Sequence, residues 1–178
     1  MPHSAKGKGN EFGLIRAMLK RWGPLAGDIG DDGALVGVPP GESLVASTDT
    51  ALEAVHWKRG WLTPREITYR AVTAALSDLA AMGATPLGVL VWMQISPGGG
   101  KEILKLPDGV ADAVKAVGTV IVGGNLTSAG ALGITTTVLG SVYSPLTRAA
   151  ARPGDLLYVT GELGGAAATV RMLKARRK

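Results

Sequence analysis

Four short stretches of this 178-residue chain carry the side chains that hold cations and phosphates. In the first, Gly27-Asp28-Ile29-Gly30-Asp31-Asp32-Gly33-Ala34, three carboxylates fall within five positions beside glycines that favour turns. The second, Ser47-Thr48-Asp49-Thr50, follows an apolar run and brings hydroxyl and carboxylate oxygens to a strand end, the donors a hard cation such as magnesium takes. Asp78 is the third, set within a helical pattern among Leu76, Leu79, Ala80 and Ala81, where an ionised carboxylate is costly unless a cation compensates it. In the fourth, Gly123-Gly124-Asn125-Leu126-Thr127 follows the apolar Thr119–Val122 and reads as a turn of small residues that lets a polyphosphate approach the backbone. Each has an ordinary alternative: a solvated loop, a capping aspartate, a carboxylate on a polar helix face near Lys or Arg, and a simple turn. Taken singly, the residues leave that choice open.

Several chemistries are excluded. Without cysteine there is no disulfide, thiolate metal site or thiol nucleophile. No Walker A, GxGxxG or HExxH sequence occurs, so P-loop, Rossmann and zincin mechanisms lack support. The net charge of +5 suggests nucleic acid, but Arg171, Lys174, Arg176, Arg177 and Lys178 account for all of it and the rest of the chain is formally neutral. No nucleic-acid face is expected. No stretch is apolar enough to span a membrane and the first residues lack the apolar segment of a leader, so a cytoplasmic address is expected.

The elements that must position these residues follow from pattern. Phe12, Leu14, Ile15, Met18, Leu19 and Trp22 share one stripe and predict an amphipathic helix over 11–22, behind a disordered arm at 1–10. Ala34–Val38 and Leu44–Ser47 predict an antiparallel hairpin around two prolines and a glycine. Thr63, Pro64 and Glu66 supply the N-cap, first position and capping-box partner of a helix of about five turns, which Gly83 stops. Leu87–Ile95, Thr119–Val122 and Ile134–Tyr143 predict strands, and Val110–Val117 a helix. The fold class expected is α+β, a mostly antiparallel sheet with helices on one face, over 11–150. The first strands carry more apolar surface than a few helices cover, which predicts a two-fold homodimer. Asp155–Thr160 and the alanine-rich helix after it predict the start of a second α/β domain over 151–178, with a basic tail.

In order over residues 11–170, IGDDGALV, STDTALEAVHW, ALSDLAAMGATPL, IVGGNLTSAG and RAAARPGDLLYVTGELGGAAA resemble the successive motifs of thiamine monophosphate kinases. That family belongs with aminoimidazole ribonucleotide synthetase, selenophosphate synthetase and a hydrogenase maturation protein among ATP-using enzymes. The resemblance implies in-line transfer of a phosphoryl group from ATP to thiamine monophosphate, with magnesium as cofactor. It implies an N-terminal domain whose strands pair across a dimer axis into a barrel. Asp32, Asp49 and Asp78 are then the acidic magnesium ligands, helped by Ser47 and Thr48, with Asn125 where the family commonly has aspartate. Gly124 and Asn125 lie on the phosphate-binding turn, Arg148 falls where a basic residue reaches the nucleotide, and His56 where the family contacts the thiamine phosphate. The family also commonly has a basic residue at the position of Ser128 and asparagine at that of Ala75. Its members continue into a further domain of comparable size, so an incomplete active site is expected of this length alone.

Overall fold

The computed structural model describes residues 6–27, 29–95 and 100–175. They fall into two units, one ending at Leu146 and the other running from Thr147. The first contains α1 (Lys6–Trp22), β1 (Ser43–Leu52), α2 (Pro64–Ala81), β2 (Thr85–Ile95), α3 (Leu106–Val117), β3 (Ile121–Ser128) and β4 (Gly133–Val142). The strands form one sheet in the order β1-β4-β2-β3. β4 is antiparallel to both β1 and β2, whereas β3, reached from β2 through α3, is parallel to β2.

Local chemistry explains α2 well. The Thr63 hydroxyl accepts from the Glu66 amide, and the Glu66 carboxylate accepts from the Thr63 amide at 2.7 Å. Those bonds to Thr63 hold the Glu66 carboxyl below its ordinary range. At the other end Gly83 takes φ +70°, the left-handed conformation that ends a helix.

The core lies between the sheet and the helices. Val89, Val91 and Met93 of β2 and Ile134, Val138 and Val142 of β4 face Val72, Ala75 and Leu79 of α2. The approach is close enough that a Cβ at Gly140 would sit 3.1 Å from both Leu79 δ-carbons. α3 packs on α2 closer still, since a Cβ at Gly109 would collide with the Arg65 carbonyl, the Thr68 hydroxyl and the Tyr69 amide. Across this crossing Thr68 donates to the Leu106 carbonyl at 2.7 Å, and Arg65 grips Asp112 with two bonds of 2.5 and 2.9 Å. α1 joins through Trp22 Nε1, which donates to the Pro107 carbonyl, and through a bidentate pair between Arg21 and Asp108.

The opposite face of the sheet has no helix of its own among the described residues. Cross-strand partners there are Thr50 with Thr135, hydroxyl to hydroxyl at 2.9 Å, and Thr48 with Thr137 at 3.2 Å. Leu44 is 55% exposed and Trp92 38% exposed on the same face.

Several expectations change. Ala34–Val38 forms no strand, and Leu35 is fully exposed; β1 pairs with β4 instead, so the hairpin does not form. α1 begins at Lys6, within the stretch expected to be a disordered arm, and Phe12 on its stripe is exposed. α3 starts at Leu106 rather than Val110. Gly123–Thr127 is strand, not turn. In the second unit Asp155–Thr160 forms no strand, because no partner strand exists for it among the described residues. That unit consists of a short turn at Arg148–Ala150 and α4 (Gly165–Ala175), with every described residue except Leu173 exposed.

Candidate functional site

The strand β1 extends through Leu52, so Ser47, Thr48 and Asp49 lie inside it and alternate between its two faces. Ser47 and Asp49 pair across to Val138 and Thr136 and share the side that faces α2. From that side Ser47 Oγ donates to Asp78 Oδ2 at 2.5 Å. Asp49 follows one strand repeat further along, its Oδ1 accepting from the Thr50 amide at 2.7 Å. Thr48 points to the other face, where its hydroxyl donates to the Thr136 carbonyl and accepts from Thr137.

Asp78 is exposed and not enclosed by the apolar residues around it in sequence. The helix turns Val72, Ala75, Leu76 and Leu79 into the core and leaves Ala74, Ser77 and Asp78 outward, over β1. Its partner is a serine and not the Lys or Arg that a structural carboxylate usually takes. Among the described residues none of Asp31, Asp32, Asp49 and Asp78 forms an ion pair, whereas Glu53, Asp108 and Asp112 each do. Beneath the same face lies an unpartnered polar atom, the buried Thr136 Oγ1, opposite Asp49 in the register.

Asp31 and Asp32 lie exposed in a bend whose lead-in is tied to the sheet by the Gly27 amide donating to the Ile121 carbonyl at 2.8 Å. Asp28 lies outside the described residues. Gly124 and Asn125 sit on β3, at the opposite edge of the sheet from β1. Three interstrand spacings put them roughly 14 Å from β1. Gly124 has a structural requirement of its own, since a Cβ there would enter the Val91 backbone. Asn125 Oδ1 accepts from the Leu126 amide, and Asn125 pairs with Trp92 in the β2–β3 register, on the face of the sheet away from Val91 and α1. Arg148 belongs to the second unit.

Donor chemistry at the Ser47, Asp49 and Asp78 cluster suits a hard divalent cation, being all oxygen and unengaged by Lys or Arg. Among the described residues no three His, Cys, Asp or Glu side chains gather round one point.

His56 stands in the loop from β1 to α2. Its amide donates to the Leu52 carbonyl at 2.9 Å, and its Nδ1 accepts from the Leu52 amide at 3.0 Å. Two residues that sequence reading overlooked build this loop. Glu53 accepts two bonds from Arg59, which hold its carboxyl below the ordinary range, and Arg70 of α2 donates to the His56 carbonyl at 2.8 Å. The signal for Glu53 was its spacing of six residues from Arg59 across a loop; for Arg70 no local signal exists, because its partner is a main-chain atom.

The chain belongs to the AIR synthase related protein family, whose N-terminal domain profile matches residues 30–142. It is similar to the thiamine-monophosphate kinase of Buchnera aphidicola subsp. Schizaphis graminum, at 33% identity over 94% of this chain and 53% of that protein. Among solved structures it resembles the thiamine-monophosphate kinase of Stenotrophomonas maltophilia K279a, with 28% identity and a TM-score of 0.80 over 90% of this chain and 53% of that one. It also resembles AaThiL complexed with AMPPCP and TMP, with 27% identity and a TM-score of 0.73 over 98% of this chain and 56% of that one. The chain spans about half the length of the curated relatives it matches. No helix among the described residues is long and apolar enough to cross a membrane.

Proposed function

We propose that this chain is the ATP- and magnesium-binding half of a cytoplasmic kinase that converts thiamine monophosphate to thiamine diphosphate. The observation that carries the reading is the pair of carboxylates, Asp49 and Asp78, left without cationic partners beside the Ser47 hydroxyl, in a chain similar over nearly its whole length to a complex containing AMPPCP, an ATP analogue, and TMP. Uncompensated carboxylates repel a polyphosphate unless a cation lies between them. Magnesium held by Asp32, Ser47, Thr48, Asp49, Asp78 and Asn125 would neutralise the charge on the phosphates. Gly124, Asn125 and Arg148 are read as nucleotide contacts and His56 as the contact to the acceptor phosphate.

In the reaction the bond from the terminal phosphorus of ATP to its bridging oxygen breaks, a bond to a phosphate oxygen of thiamine monophosphate forms, and ADP leaves. The attacking oxygen is already ionised, so positioning and charge neutralisation suffice and no strong general base is needed. Because Asn125 and the β1 cluster occupy opposite sheet edges, a second copy of the chain is read as completing the arrangement. The two-fold dimer would use the face that exposes Leu44 and Trp92, its strands closing into a barrel.

Calorimetry of ATP binding, with magnesium and then with excess chelator, tests the metal requirement; equal affinity in both overturns it. Chromatography of ATP and thiamine monophosphate incubated with the protein tests the transfer. ATP binding without thiamine diphosphate formation would favour the alternative reading, a non-catalytic nucleotide- and magnesium-binding dimerisation module.

A further inference from the structure

We propose that Arg70 and the Leu52 amide are positioning groups that lock the His56 ring as its Nε2–H tautomer, presenting one N–H donor to an anionic phosphate-ester oxygen. This rests on the reading of His56 as the acceptor contact and adds how the ring is held.

His56 is exposed, and an exposed histidine in a loop ordinarily samples several rotamers and both tautomers. Here its freedom is removed at three atoms. The backbone N–H and ring Nδ1 both bond to Leu52, the last residue of β1, and the carbonyl is held by the Arg70 guanidinium on α2. β1 and α2 are regular elements packed on each other, so the loop is fixed at both ends. A ring that accepts a hydrogen bond at Nδ1 carries its proton on Nε2. Nε2 has no protein partner among the described residues, which leaves its N–H available to a ligand. The loop is reinforced around the ring: the Ala54 amide donates to the Trp57 carbonyl, Trp57 is buried, and the Arg59–Glu53 pair spans the turn. An anionic oxygen is a strong acceptor for a lone N–H donor, and a phosphate monoester supplies one.

The test is long-range proton–nitrogen NMR on the full 178-residue chain, with His3→Gln removing the other histidine. His56 is expected to show an unprotonated Nδ1 and a protonated Nε2; a proton on Nδ1 overturns the proposal. Arg70→Met is expected to lose that signature and give the averaged pattern of a free ring, while Arg70→Lys, which keeps a donor for the carbonyl, retains it. An unchanged signature in folded Arg70→Met removes Arg70 from the proposal. Should Arg70→Met fail to fold, His56→Leu decides: the Leu52 amide should then exchange with solvent roughly tenfold faster for lack of its acceptor. Equal protection means the ring does not accept that bond. Added thiamine monophosphate should shift the Nε2–H signal, and thiamine, which has no phosphate, should not. Shifts elsewhere that leave His56 unmoved defeat the positioning role, whereas no shift anywhere counts against the kinase reading itself.

Discussion

Asp108, Asp112 and Glu53 face guanidinium groups, each through two hydrogen bonds, whereas Asp31, Asp32, Asp49 and Asp78 face hydroxyls, amides or solvent. The paired acids stitch α1 to α3, α2 to α3 and the start of the β1–α2 loop to its middle. The unpaired ones lie on β1, on the outward side of α2 and in the bend that follows α1. The same side-chain type thus does two jobs, and the neighbour decides which. Where an arginine fork satisfies the carboxylate, removing it affects packing. Where only a serine meets it, oxygen lone pairs stay available, and removal should affect ligand affinity more than stability.

The largest effect should come from the helix layer. Gly109→Ala drives a methyl group into the α2 backbone at the crossing that the Arg65–Asp112 pair flanks, and should destabilise the fold by about 3 kcal/mol. Urea unfolding measures it, and a loss below about 1 kcal/mol would mean that α2 and α3 do not approach so closely. Magnesium-ATP affinity of the folded fraction should be unaltered.

At the unpaired cluster the pattern should invert. Asp78→Asn keeps an acceptor for Ser47 but loses the charge, so melting of the ligand-free protein should move little, within about 0.5 kcal/mol. Magnesium-ATP affinity should fall by roughly 100-fold. A clearly destabilised variant with unchanged affinity would assign Asp78 to the structural set and erase the comparison.

A smaller, pH-dependent effect belongs to the paired set. The hydrogen bonds from Arg65 hold the Asp112 carboxyl below its ordinary range. Its pKa is therefore lower folded than unfolded, and as pH falls the unfolded chain takes up the proton first. The stabilisation is complete above about pH 5 and drains away as pH falls below about 4. Wild type and Asp112→Asn should differ in melting temperature at neutral pH and converge in acid, with added salt narrowing the gap. A difference that persists undiminished at the acid end would rule out the ion pair as its source.

Local physics was readable from sequence and pairing was not. The caps of α2 at Thr63, Glu66 and Gly83 depend on residues three positions apart or on one backbone angle, so composition sufficed. Ala34–Val38 has strand composition, but a strand needs an edge to join, and nothing in those five residues reveals that β4 occupies β1 instead. Gly123–Thr127 looked like a turn because glycine usually marks one; at Gly124 the glycine is demanded by the Val91 backbone of a neighbouring strand, far away in sequence. Of Ser47, Asp49 and Asp78, read from sequence as candidates to gather, Ser47 and Asp78 are in contact. The outward position of Asp78 was legible in principle, from Ala74 and Ser77 sharing its side of the helix. The division of Thr48 from its neighbours required knowing that β1 continues to Leu52.

The smallest expected effect concerns the loop where the two sets meet, since a paired acid, Glu53, braces the candidate binding residue His56. Between them Ala54 holds φ +69°, the only non-glycine residue with positive φ among those described. The left-handed conformation costs an L-residue roughly 1–2 kcal/mol, while glycine carries an entropic cost of about 0.5–1 kcal/mol in a fixed backbone. The difference favours glycine, so Ala54→Gly should stabilise the protein by about 0.5 kcal/mol, a small rise in melting temperature. If the loop is braced only by its contacts, the His56 ring signature should survive the change, because the Leu52, Arg59 and Arg70 bonds do not involve the Ala54 methyl. If the alanine also restricts the loop, the variant should be more stable and yet bind thiamine monophosphate more weakly, through looser presentation of the ring. A destabilised Ala54→Gly would overturn the left-handed assignment at this position, and with it the geometry that brings the His56 amide and ring together onto Leu52.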